Sequence, residues 1–104
     1  MQDGLEAATR KCIANLLACH EASMTALARG AADTERVTLI ISLTELCRVS
    51  AHFLTIGSPH HHRLVAECAE ICETCAAECA DMDGLTGFVA SCRQAAACCR
   101  ALAA

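Results

Sequence analysis

Cys68-Ala69-Glu70-Ile71-Cys72-Glu73-Thr74-Cys75-Ala76-Ala77-Glu78-Cys79-Ala80-Asp81-Met82 is the stretch that decides the fold. Its sulfur-bearing residues are spaced four, three, four and three apart. That interval lines side chains along one stripe of an α-helix and turns the stripe toward a core, whereas a strand would repeat every second residue. The same face spacing recurs on both sides. Upstream, Cys12 and Cys19 share a face with Leu16 and Ser23, and Cys47 stands in line with Leu43 and Leu54. Downstream, Cys92 and Cys99 share a face with Ala95, and Cys98 sits on the flank. Nine of the ten cysteines therefore fall on faces predicted to meet at one axis.

Breaker clusters divide the chain into four helical segments. Asp3, with Glu6 three residues on, has the arrangement of a capping box, and the helix it opens is expected to reach about Arg29 and stop at Gly30. Asp33 is the expected N-cap of a second helix that stops at Gly57. Ser58 and Pro59 predict a cap followed by a first-turn proline, opening a third helix to about Asp81. Asp83 to Gly87 reads as a connection, and Phe88 to Leu102 as the fourth helix. Such short connections force antiparallel neighbours, so the expected fold is all-α. It is an up-down-up-down four-helix bundle with a cysteine-lined core, one domain over residues 1–104. Composition agrees, since 55% of residues are hydrophobic but only 2% aromatic, which leaves Ala, Leu, Ile and Cys to fill a closely packed helical core.

Several functions are disfavoured at this point. A net charge of -4, with no basic run and no aromatic stacking set, argues against nucleic acid as a partner. The first residues carry no basic and apolar leader pattern, and the most apolar run, Val37 to Leu43, is far short of the ~20 residues that cross a bilayer. The expected location is the cytoplasm, with no membrane partner, where thiols stay reduced and serve metals or catalysis rather than cross-links. No Ser-His-Asp, phosphate-loop or haem-attachment pattern occurs. Glu6, Glu21, Glu35, Glu45, Glu67, Glu70, Glu73 and Glu78 read as solvent-facing, so an enzyme is not expected.

The cysteines then carry the function. Nine inward thiols exceed what packing alone calls for, because Ala, Val or Leu would fill the same space without oxidation risk. Disulfides within the third helix are poor, since Cβ atoms three or four residues apart stand about 5–6 Å from one another and a bridge needs about 3.5–4.5 Å. A metal fits better, because two bonds of roughly 2.3 Å allow sulfurs up to about 4.6 Å apart. Thiolates select Cu(I), zinc or iron–sulfur clusters, and structural zinc favours closed sets on turns over a line along a helix. Uncompensated buried thiolates are too costly, so the metal-free core is expected to hold neutral thiols. A monovalent ion per thiolate leaves the filled core neutral, which favours several Cu(I) ions per chain. A thiol redox sensor with reversible disulfides, and a zinc or other soft-metal sink, are the alternatives. Met24, Met82 and His20 are lesser ligand candidates near one bundle end, where soft thioethers could pass Cu(I) inward. The run His60, His61 and His62 reads as solvated, and His52 as a rim residue.

From Arg48 to Asp83 the chain resembles the bacterial four-helix-bundle copper-storage proteins. Ser50-Ala51-His52-Phe53, Gly57-Ser58, His61 and Leu64 carry the resemblance, followed by the C-x-x-x-C-x-x-C-A-x-E-C run of Cys68 to Cys79 and then Asp81-Met82. A looser likeness extends over the other two helices. It implies Cu(I) held by core thiolates, often in CxxxC pairs, in cytosolic or exported members that commonly form homo-oligomers. A copper chaperone or a small thiol is the expected donor. Carried over by position, the resemblance covers Cys12, Cys19, Cys47, Cys68, Cys72, Cys75, Cys79, Cys92 and Cys99. Cys98, on the flank, is counted with them as a candidate metal ligand. Leu16, Ser23, Leu43, Val65 and Ala95 stand where the family pattern leads one to expect further cysteines, which implies a lower capacity.

Overall fold

The first two helices stop just before a glycine in the left-handed region, Gly30 and Gly57. The computed structural model describes residues 2–30 and 33–103, with side chains from Glu6 onward. Among these residues four helices form and no strand: α1 (Gln2–Ala28), α2 (Thr34–Thr55), α3 (His61–Cys79) and α4 (Thr86–Ala103). At the start of α2 the Asp33 side chain accepts a hydrogen bond from the Arg36 amide at 3.0 Å, as the capping argument requires. At its end Gly57 takes φ +68°. The Gly57 amide donates to the Leu54 carbonyl at 3.2 Å and the Ser58 amide to the Phe53 carbonyl at 3.0 Å. This paired closure needs a left-handed residue, which glycine adopts without steric cost.

Three helix starts differ from the sequence reading. α1 already includes Gln2 and Asp3, so Asp3 lies inside the helix and not at its cap; its side chain is outside the described residues. α3 begins at His61 instead of Pro59. Ser58 uses its hydroxyl to accept from the His60 amide at 3.2 Å and its carbonyl to accept from the His61 amide at 3.2 Å, and this turn absorbs Pro59 and His60 before the helix begins. α4 starts at Thr86, taking Gly87 into its first turn, because the reversal is completed earlier at Gly84 (φ +83°).

Each helix packs on its neighbours in sequence, and α1 packs on α4 to close the ring, giving the antiparallel bundle. The molecule measures 43 × 20 × 19 Å, the length of a helix such as α1 at about 1.5 Å per residue. Beyond the sulfurs, one end of the core is filled by Ala26, Leu85, Phe88 and Val89, and the other by Leu54, Val65 and Leu102. These apolar residues pack the two ends without sulfur. α2 is 22 residues long with a mean hydropathy of 1.4 over its most apolar window, long and apolar enough to cross a bilayer. This corrects the estimate from Val37 to Leu43, since the apolar character resumes past Thr44 and Glu45. In the bundle α2 turns Ile40, Leu43, Cys47, Ala51 and Leu54 into the core.

Candidate metal centre

Nine cysteines are fully buried, and Cys98 is half-buried. All ten are free thiols. The inward stripe of α3 holds as read: Cys68, Cys72, Cys75 and Cys79 all face the core. The axial stagger of the four helices then gathers these and the other sulfurs into clusters. Cys12, Cys98 and Cys99 form one set and Cys19, Cys47 and Cys72 another, each with its sulfurs within 4.8 Å of one another. Cys68 links them: its Sγ is 3.8 Å from that of Cys47 and 4.0 Å from that of Cys72 in the second set, and it hydrogen-bonds with Cys99 of the first, where Cys12 and Cys99 stand 3.9 Å apart. Three thiolates around one ion at bonds of roughly 2.3 Å stand about 4.0 Å apart, so these sets have the size of three-coordinate soft-metal sites.

Beyond the second set lie Cys92, Cys75 and Cys79. The Cys75 thiol donates weakly to the Leu39 carbonyl at 3.9 Å. Burial pushes Cys75 up to about 12, and Cys79 is raised by the same cause. Hydrogen bonding with Cys19 and then burial raise Cys92. These thiols hold their protons until a metal displaces them. Within the clusters one sulfur gives up its proton ahead of the rest. Hydrogen bonding from Cys47, Cys72 and Cys92 holds Cys19 low, and Cys47, Cys72 and Cys99 do the same for Cys68. At the α1–α4 seam the bond between Cys12 and Cys98 lowers Cys98 and raises Cys12 to about 12. An early anion among neutral S–H donors presents a first ligand to a cation.

The remaining candidates divide differently. Met24 is 52% exposed and points away from the sulfurs, because position 24 falls on the outer face of α1, one residue past the inward Ser23; this corrects the expectation that it lines the path inward. Met82 lies past the end of α3, half-buried against the core. His20 is turned to α2, where its Nδ1 meets the Thr44 carbonyl at 3.0 Å, and it joins neither sulfur set. His61 Nδ1 lies 2.7 Å from the Ser58 carbonyl, so the histidine run closes the α3 turn. The eight glutamates are exposed, as read. At the seam positions without sulfur, Leu16, Leu43, Val65 and Ala95 fill the core with carbon, and Ser23 joins a polar knot. Thr44 donates to Ser23 at 2.7 Å, and Ser23 donates to the His20 carbonyl at 2.7 Å.

The sequence reading set Cys98 on the flank of α4 while counting it among the metal ligands. Its sulfur is 2.9 Å from that of Cys12, across the α1–α4 seam. Its place beside Cys99 was the available signal, but the partner is 86 residues away on another helix.

A closed ring of four antiparallel helices around a column of buried thiols defines a class of soft-metal-binding bundle. The copper storage protein family model matches residues 1–104, and the chain belongs to that family. A crystal structure of a protein from Nitrosospira multiformis is similar over 94% of this chain and 96% of its own, at 27% identity and a TM-score of 0.90. The apo form of copper storage protein 3 from Bacillus subtilis is similar over 92% of this chain and 99% of its own, at 25% identity and a TM-score of 0.84. No protein of curated function matches the sequence.

Proposed function

We propose that this chain stores Cu(I) in the cytosol, holding several ions in its core as thiolate complexes and releasing a proton for each thiol engaged. The observation that carries this is the spacing of the sulfurs: two sets of three, linked by Cys68, at the separations soft-metal coordination needs. Cys12, Cys19, Cys47, Cys68, Cys72, Cys75, Cys79, Cys92, Cys98 and Cys99 are the ligands in this reading. Thiolate softness selects Cu(I), and its single charge cancels that of each thiolate, so a filled core carries little net charge in low dielectric. The role is to hold and return metal, with no catalytic step. A homo-oligomer accords with the family, and the bundle supplies every proposed ligand from one chain. Anaerobic Cu(I) titration against a competing chelator tests the proposal. Storage requires more than two ions per chain, and saturation at one or two refutes it.

A second reading, a reversible disulfide, has one specific observation behind it, the 2.9 Å contact of Cys12 with Cys98. Mild diamide treatment followed by a thiol count separates the two readings. Redox sensing predicts rapid loss of that pair of thiols in the metal-free protein, protected by the reductant but not by Cu(I).

A further inference from the structure

A column of buried thiols poses the question of how a cation reaches it. Every cysteine except Cys98 is fully buried, and apolar side chains fill both ends of the core. On the side of the bundle, a groove of about 560 Å³ runs between α1 and α4, lined by Lys11, Asn15, Gln94, Cys98 and Leu102 among others. Cys98 is the half-buried member of an otherwise buried set, and it is the sulfur this groove exposes. It sits 2.9 Å from Cys12, and Cys12 sits 3.9 Å from Cys99, so an ion bound at Cys98 is already within reach of the first buried set.

We propose that this groove is the port through which Cu(I) is loaded, by ligand exchange from an anionic complex of Cu(I) with small thiolates. The inference rests on the storage reading above. One Cu(I) carried by two thiolates has a net negative charge. Lys11 supplies a cation at the mouth of the groove, with Asn15 and Gln94 as neutral hydrogen-bonding partners. The volume lies in the range that accepts small molecules. In the first exchange a Cu–S bond to the Cys98 thiolate forms and one to the carrier breaks; the carrier leaves as a thiolate and takes its proton from water. Cys12 then forms the second Cu–S bond as the other carrier bond breaks; its proton leaves with that carrier as a thiol, and the ion remains monovalent throughout. Cys99 completes the set, and Cys68 offers the next sulfur inward.

Two readouts test this, equilibrium capacity and loading rate, with copper supplied anaerobically as its glutathione complex and, separately, as its cationic acetonitrile complex. Cys98→Ser is expected to slow loading from the glutathione complex by about tenfold or more while costing at most one ion of capacity. Cys79→Ser removes a ligand at the far end of the column and is expected to cost a similar capacity without slowing. Lys11→Glu is expected to slow loading from the anionic complex and to speed loading from the cationic one, a reversal that a merely structural role does not produce. Circular dichroism verifies that each variant keeps its helices. An unchanged rate in Cys98→Ser with normal filling overturns the port and leaves storage standing. Slowing in Cys79→Ser instead moves the port to a bundle end and overturns this one. A wild-type chain that saturates at one or two ions overturns storage and the port together.

Discussion

At the scale of single residues, burial separates Cys98 from the other nine cysteines. A thiol that is half-buried and held low by its neighbour reacts fastest with alkylating reagents, because the thiolate is the nucleophile. Brief treatment of the metal-free protein with N-ethylmaleimide, followed by peptide mass mapping, is therefore expected to label Cys98 first. Labelling of Cys68 or Cys72 at a comparable rate contradicts the burial described here. The seam positions that carry carbon in place of sulfur make a second prediction. Leu43 is fully buried in α2, the helix that offers one cysteine to the core. Leu43→Cys is expected to raise Cu(I) capacity by about one ion, and to cost the metal-free fold about 2 kcal/mol for the lost methyl groups, read from urea denaturation. Stability loss with no added copper indicates that position 43 does not face the metal column. At this scale the sequence was highly legible for α3, where a four-three interval needs only helical geometry. It was misleading for Met24, whose neighbour Ser23 takes the inward position, since one residue turns a side chain through about 100°.

At the scale of elements, the connections decide how firmly the helices are registered. Gly57 closes α2 at φ +68°, and a Cβ added there meets nothing within 4 Å, so the cost of substitution is conformational. Gly57→Ala is expected to destabilise the bundle by about 1 kcal/mol, lowering Tm by about 4–8 °C for a domain of this size. A larger loss points to disruption of the α2–α3 register beyond the turn. Breakers such as Gly30, Asp33 and Gly57 were legible because each acts on the backbone within a few residues. Pro59 was read as the start of α3 and lies before it, because Ser58 accepts two amides in a turn of its own, a local competitor that helix-start rules do not weigh.

At the scale of the whole molecule, the thiols that burial keeps protonated make stability depend on pH. Burial raises Cys75 from an ordinary value of 9.0 to about 12. The folded state therefore holds a proton that the unfolded chain has begun to release above pH 9. This contribution is present in full below pH 9 and is lost as pH climbs from about 9 to 12, with Cys79 and Cys92 acting in the same direction. Urea denaturation of the metal-free protein under reducing conditions is expected to show a falling midpoint over that window, and a flat midpoint refutes the assignment. Copper binding has the opposite linkage. Each thiolate engaged expels a proton, so the apparent affinity is expected to fall as pH is lowered, read by chelator competition at two pH values. Stripping the metal with a strong chelator is expected to lower Tm but leave the helical circular dichroism, since aliphatic layers at both ends hold the bundle together.

Helix number, the inward stripe of α3 and the abundance of core sulfur followed from the sequence by itself, because periodicity and backbone breakers act over a few residues. Which sulfurs meet was decided by the tertiary structure. Cys12 and Cys98 lie 86 residues apart, and their contact depends on how far α1 and α4 slide and rotate against each other. One residue of slippage shifts a helix by about 1.5 Å, several times the tolerance of a metal–sulfur bond.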